Sequence, residues 1–162
     1  MRTRIILITG FILLVFIPVS RALTKVSDET GIIGKIRIPR IEVELPLYED
    51  VNEKILEKGI GHITESSLPG CGNGTHCLLA GHRGLPVAKL FAELDEVQIG
   101  DLFYIETTDC KYVYKVCEIQ IIKPEETEKL KVKEEKELVS LITCTPYGIN
   151  THRLIVTGER MK

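Results

Sequence analysis

Apolar positions along this chain gather in short runs broken by Gly, Pro and Asn, a spacing that predicts strands and turns more than long helices. Ile32 to Ile38 and Ile41 to Leu47, punctuated by Pro39 and Pro46, predict a bent or paired β unit. Asp50 is placed to cap a short helix over Val51 to Glu57, with Gly59 supplying a left-handed exit. Ser66 to Gly74 is a polar loop, and the apolar stretch Cys77 to Ala80 predicts a buried strand that stops at Gly81-His82-Arg83-Gly84. Pro86 then opens a second short helix over Val87 to Leu94. Asp101 to Thr107 and Tyr112 to Ile122 predict a hairpin across Thr108-Asp109-Cys110, and the charged stretch Lys123 to Glu137 predicts a solvated loop or surface helix. The last pair of strands, Leu138 to Cys144 and Arg153 to Arg160, is joined by the segment Thr145 to His152. The pattern is that of one mostly β domain without internal repeats.

The first segment departs from this pattern. Ile5 to Val19 is continuously apolar, preceded by Arg2 and Arg4 and followed by Arg21, the layout of a signal sequence or a signal anchor. A span needs roughly 20 apolar residues, which the run to Leu23 approaches if Arg21 snorkels, and no small-x-small cleavage site follows Pro18. The expectation is an uncleaved anchor over residues 1–23, a linker over 24–33 and a catalytic domain over 34–162 that faces outward from the cell membrane.

Charge narrows the partners little. The formal net charge is -2 with acids and bases interspersed, so no basic patch points to nucleic acid. Cysteine usage says more. Five cysteines in an outward-facing chain leave at least one unpaired, and Cys144 is the best candidate for a free, reactive thiol. Cys71 and Cys77 flank a glycine-containing loop that allows either a disulfide or two thiols. Cys110 and Cys117, one in a turn and one along a strand, lie roughly 20 Å apart at 3.3 Å per residue, beyond disulfide reach. Cys71, His76, Cys77 and His82 lack the close C-x₂₋₄-C spacing of structural zinc, and neither a metal nor a cofactor is expected.

A cysteine nucleophile needs a proton partner or positive field to hold thiolate, and donors aimed at the oxyanion. If the last two strands pair antiparallel, Cys144 and Arg153 come opposite each other at the same strand ends. A guanidinium stays charged, so Arg153 is suited to bonding a carbonyl or oxyanion, and proton transfer falls to a histidine. His82 is preferred because Gly81 and Gly84 permit close backbone approach to a substrate, whereas His62, His76 and His152 lie in less constrained settings. Singly, each residue also has an ordinary structural reading, since a Cys at a strand end is usually a small buried apolar residue.

The segment Thr143-Cys144-Thr145-Pro146-Tyr147-Gly148-Ile149-Asn150-Thr151-His152-Arg153-Leu154 resembles the cysteine-to-arginine segment of class C sortases almost residue for residue. Leu79-Ala80-Gly81-His82-Arg83-Gly84-Leu85-Pro86, followed by Lys89-Leu90-Phe91, resembles the family's histidine segment, and Ile36 to Leu47 and Gly59 to Pro69 resemble its earlier strands. The resemblance implies an eight-stranded β-barrel with a few short helices. It implies His82 as general acid, Cys144 as nucleophile, Arg153 as stabiliser of substrate and oxyanion, and Thr143, Thr145 and Asn150 as substrate contacts. The implied reaction is transpeptidation: attack at the Thr–Gly bond of an LPXTG-like sorting signal, then transfer of the acyl group to an amine, most often a pilin lysine.

Two family features are not expected here. The linker Leu23 to Gly31 has Asp28 but neither the Pro nor the aromatic of the N-terminal lid motif, and the chain stops at Lys162 without a C-terminal membrane helix. Cys71 and Cys77 also stand where the family pattern has no cysteines. The competing readings are a sortase whose acceptor is peptidoglycan, a thiol peptidase that releases its product to water, and a secreted β-barrel binding module.

Overall fold

The computed structural model describes residues 31–84 and 89–162. Eight strands close into a barrel: β1 (Ile32–Ile38), β2 (Val43–Tyr48), β3 (Ile60–His62), β4 (Thr75–Ala80), β5 (Leu102–Thr107), β6 (Lys111–Ile122), β7 (Glu137–Thr145) and β8 (His152–Arg160). Around the barrel the order is β1-β2-β3-β4-β7-β8-β6-β5, and β1 pairs with β5 to close it. Closure leaves no long unpaired sheet edge. The β2/β3 and β4/β7 pairs are parallel and the rest antiparallel. The anchor expected over residues 1–23, the linker that would carry a lid motif and the start of the second expected helix, 87–88, lie outside the described residues. Among the described residues no helix is long and apolar enough to cross a membrane.

Alternation fills the interior. Ile36, Ile38, Leu47, Ile60, Leu79, Phe103, Ile105, Tyr114, Val139, Leu141, Leu154 and Val156 form one continuous buried cluster, with Phe91 and Leu94 closing it from the β4–β5 connection. Phe103 and Tyr114 stack at 5.4 Å between ring centroids. The buried Tyr114 hydroxyl donates to Glu137 Oε1 at 2.7 Å, and the same oxygen accepts from Gly70 N–H at 3.1 Å. Glu137, expected at the end of a solvated stretch, is instead the buried first residue of β7. These two donors, with the Arg160 guanidinium 3.9 Å from the same oxygen, are what allow a carboxyl group to be buried there.

Local chemistry corrects the helix expectations. The first helix, α1, is a single turn over Glu53–Leu56, and its cap is Asn52, whose Oδ1 accepts from Ile55 N–H at 3.1 Å. Among the described residues the Asp50 carboxylate accepts from its neighbour, Val51 N–H, at 2.7 Å and caps no helix. Gly59 does not take a left-handed exit; a Cβ there would stand 2.5 Å from the Pro46 carbonyl oxygen, so the residue is small to let two segments approach. In the second expected helix, residues 90–93 form turns and a 3-10 turn follows at Leu94–Glu96.

The wall formed by β4, β7 and β8 carries a closed polar chain on its outer face. His76 Nε2 and Ser140 Oγ are 2.8 Å apart, Ser140 Oγ and Thr157 Oγ1 2.7 Å, and His76 Nδ1 lies 3.3 Å from the Lys131 carbonyl of the β6–β7 loop. Burial holds the His76 imidazole below its ordinary value of 6.5, against the smaller opposing pull of the Lys131 and Leu130 carbonyls. With the native value lowered, the unfolded chain takes up this proton first, so the fold loses stability as pH falls below 6.5. Chemical denaturation between about pH 7.5 and 5 is expected to show this acid slope, bounded by about 1.4 kcal/mol per pH unit for one group, and His76→Gln to reduce it.

Candidate active site

Cys144 lies at the C-terminal end of β7, and its antiparallel partner in the register is Arg153 near the start of β8. Directly paired residues share a face of the sheet. Cys144 follows Ser140 and Ile142 on the outward-facing positions of β7, while Val139 and Leu141 face the core. The outer face that ends in a closed polar chain at one end of this wall therefore carries a half-exposed thiol and a guanidinium at the other.

The parallel pairing of β4 with β7 brings up the histidine. Ala80 is opposite Ile142, and Gly81 N–H continues the ladder by donating to the Ile142 carbonyl at 3.0 Å. His82 is the next residue along. His82, Arg83, Gly84, Cys144, Tyr147, Gly148 and Asn150 line one cleft of about 210 Å³. A larger groove of about 510 Å³ on the β1–β2–β5 surface gathers Lys35, paired with both Glu44 and Glu106, and is lined by neither a cysteine nor a histidine.

The four histidines differ in what they are free to do. His62 Nε2 lies 3.1 Å from the Ser67 carbonyl and 3.2 Å from Ser66 Oγ, and His76 is bound on both ring nitrogens. Both are buried and constrained, opposite to the setting expected for them. His152 Nδ1 shares a contact of 2.9 Å with Thr151 Oγ1 on the exposed loop. His82 Nε2 stands 3.3 Å from Glu53 Oε1 of α1 without hydrogen-bond alignment, an ion pair only when the imidazole is protonated. Nothing in the sequence marked Glu53, which is brought here by the α1–β3 contact from a distant segment.

The remaining candidates divide between lining and support. Asn150 lines the cleft in a left-handed conformation, φ 60°. Thr143 is buried and donates to the Gly81 carbonyl at 2.8 Å, so it ties the β7 end to the β4 end beneath the thiol. Thr145 is buried too, and its hydroxyl accepts from Arg83 Nη1 at 2.8 Å. Arg153 Nη1 donates to the carbonyls of Asn150, at 3.1 Å, and His152, at 3.0 Å. Gly81 serves packing: a Cβ there would meet Ile60 Cδ1 at 2.5 Å and the Phe91 ring at 2.8 Å. Arg83, beside His82 in the sequence, is a cleft residue that periodicity alone does not single out.

The other thiols are separate. Cys71, Cys110 and Cys117 are exposed, and Cys77 is a core residue whose thiol burial pushes well up, away from thiolate. Among the described residues no group of three or more His, Cys, Asp or Glu could hold a metal ion.

Comparison with known proteins bears on the same residues. The sortase domain family matches residues 36–161. Sortase A of Bacillus anthracis is 30% identical over 132 residues, covering 82% of this chain and 61% of that protein; the chain thus spans about three fifths of that curated relative. Among solved structures, sortase C1 from Streptococcus agalactiae superposes with a TM-score of 0.81 at 45% identity, over 84% of this chain and 70% of that one. Sortase C of Streptococcus pneumoniae, whose structure is described as informative on catalysis and pilin substrate specificity, has a TM-score of 0.80 at 41% identity, over 82% and 70% of the two chains. A family match over the barrel, together with neighbours of class C, agrees with the likeness of the Cys144-to-Arg153 segment, and the chain belongs to the sortase family.

Proposed function

We propose that this protein is a cysteine transpeptidase acting on LPXTG-like sorting signals, with Cys144 as nucleophile, His82 as proton donor and acceptor, and Arg153 as oxyanion donor. The observation that carries the reading is that Cys144, paired across the strands with Arg153, lines one cleft together with His82. The Cys144 thiolate attacks the Thr carbonyl of the Thr–Gly bond, and the carbonyl electron pair moves onto oxygen. The guanidinium has five N–H donors, and its two bonds, to the Asn150 and His152 carbonyls, both leave from Nη1, so Nε and Nη2 remain for that oxygen. As the tetrahedral adduct collapses, protonated His82 gives its proton to the departing glycine amine, leaving a thioacyl-enzyme. An incoming amine loses a proton to His82 and displaces the thiolate.

Asn150, on the cleft wall, is the substrate contact among the three expected residues. Thr143 and Thr145 act from beneath by holding the strand ends. The acceptor is a pilin lysine, by likeness to the class C structures, and a peptidoglycan amine is the alternative that the amine arm of the experiment separates. Residues 1–23 anchor the chain in the cell membrane, 24–33 form a linker, and the domain from residue 34 to 162 works on the extracytoplasmic side.

The full chain, incubated with an LPXTG-type peptide and followed by intact mass, is expected to gain an acyl adduct that a lysine-containing pilin peptide converts into ligated product faster than a peptidoglycan-precursor amine does. Cys144→Ala is expected to form none. Arg153→Lys, which keeps charge but not the fork, is expected to slow acylation by about 10²–10³-fold. An adduct that persists in Cys144→Ala, or release at equal rate with and without amine, would count against transpeptidation by this residue.

A further inference from the structure

We infer that Arg83 is a positioning residue for this reaction: it clamps the residue after the nucleophile and thereby sets the β7–β8 loop that forms one wall of the cleft. The inference rests on the proposed transpeptidase reading for its kinetic consequence, and on geometry for the clamp itself.

Arg83 is nearly enclosed, its side chain 11% exposed. Nη1 donates to Thr145 Oγ1 at 2.8 Å and Nη2 to Asp95 Oδ2 at 2.6 Å, while Nε is buried without a partner. Burying a guanidinium that leaves one donor unpaired is costly, and an apolar side chain of similar volume would often serve stability as well or better. Geometric constraint accounts for the cation. Its two bonds join three separate segments: the histidine turn, the 3-10 turn at Leu94–Glu96, and the last residue of β7.

The loop beyond Thr145 has little else to hold it. Tyr147 and Ile149 are 67% and 69% exposed, so apolar packing does not fix it. Hydrogen bonds do: Ile149 and Asn150 N–H both donate to the Pro146 carbonyl, at 3.1 and 2.9 Å, and Arg153 Nη1 holds the Asn150 carbonyl at the far end. Arg83 secures the near end and Arg153 the other, and Tyr147, Gly148 and Asn150 between them line the cleft opposite His82. A planar fork suits two partners in fixed directions, which lysine cannot match. Loosening Thr145 would shift the wall relative to Cys144 and lower the fraction of bound peptide in attacking geometry, an effect on kcat more than on KM.

The test uses the full chain as Arg83→Met, Arg83→Lys, Thr145→Val, Thr145→Ser and the double Arg83→Met/Thr145→Val. Amide exchange at Ile149 and Asn150 needs no substrate and is read alongside acylation by the LPXTG-type peptide and the thermal midpoint. Loss of the charged hydrogen bond is expected to raise loop exchange and lower acylation kcat by about tenfold or more in Arg83→Met and Thr145→Val, with KM within about twofold. Arg83→Lys is expected to follow Arg83→Met, Thr145→Ser to restore most of what Thr145→Val loses, and the double to be no worse than Arg83→Met, as for one shared interaction. Loop exchange at the wild-type level in both Arg83→Met and Thr145→Val would overturn the clamp, as would additive losses in the double. Should the wild-type chain fail to acylate, the functional reading falls, and loop exchange alone still decides the clamp. Should Arg83→Met fail to fold, the near-isosteric Thr145→Val pair with Thr145→Ser decides it.

Discussion

The site depends on the double pairing of β7, parallel to β4 on one side and antiparallel to β8 on the other. Side-chain direction in a strand alternates with period two, so this register determines which residues share a face and which strand ends coincide. Cys144 meets Arg153 because they are paired residues, and His82 arrives because β4 runs parallel to β7 and ends beside it. A slip of one residue would turn the thiol toward the core and put Leu154 or His152 opposite it. The buried cluster beneath, from Leu79 through Leu141 to Val156, makes such a slip expensive, since it would carry these side chains out to the surface.

One outer face of this wall is thus divided between two kinds of polar chemistry. At the closed end, His76, Ser140 and Thr157 satisfy one another under the β6–β7 loop, so that buried polar atoms are paired and the histidine is kept neutral. At the open end, His82 Nε2 is buried without an aligned hydrogen-bond partner and Cys144 is only partly covered. The same residue type is thus bound on both ring nitrogens in one place and left without a hydrogen-bond partner on Nε2 in the other. Rigidity around the open end comes from atoms beneath it: Thr143 on the Gly81 carbonyl, Arg83 on Thr145, and Phe91 packed where Gly81 leaves room.

The strands and the cysteine–arginine pair were legible in the sequence because they rest on local regularities: alternating apolar runs, turn residues and the antiparallel return from Cys144 to Arg153. Tertiary effects were less legible. Asn52 and Asp50 are both good caps by type, and only the backbone conformation selects Asn52. Glu137 read as solvent-facing until Tyr114 and Gly70 supplied donors from distant segments. The glycine beside His82 suggested close substrate approach, while its neighbours in space are Ile60 and Phe91. His62 and His76 looked unconstrained because their partners lie on a loop or on other strands, and of the two alternatives for Cys71 and Cys77 the structure has two unbonded thiols.

The site stands or falls with the register of β7, and cross-strand backbone contacts measured by NMR on the full chain report that register. Contacts are expected that pair Thr143 with Leu154, Cys144 with Arg153 and Thr145 with His152, with His82 following the β4 pairing of Ala80 to Ile142. Contacts displaced by one residue, placing Cys144 opposite Leu154 or His152, would contradict it.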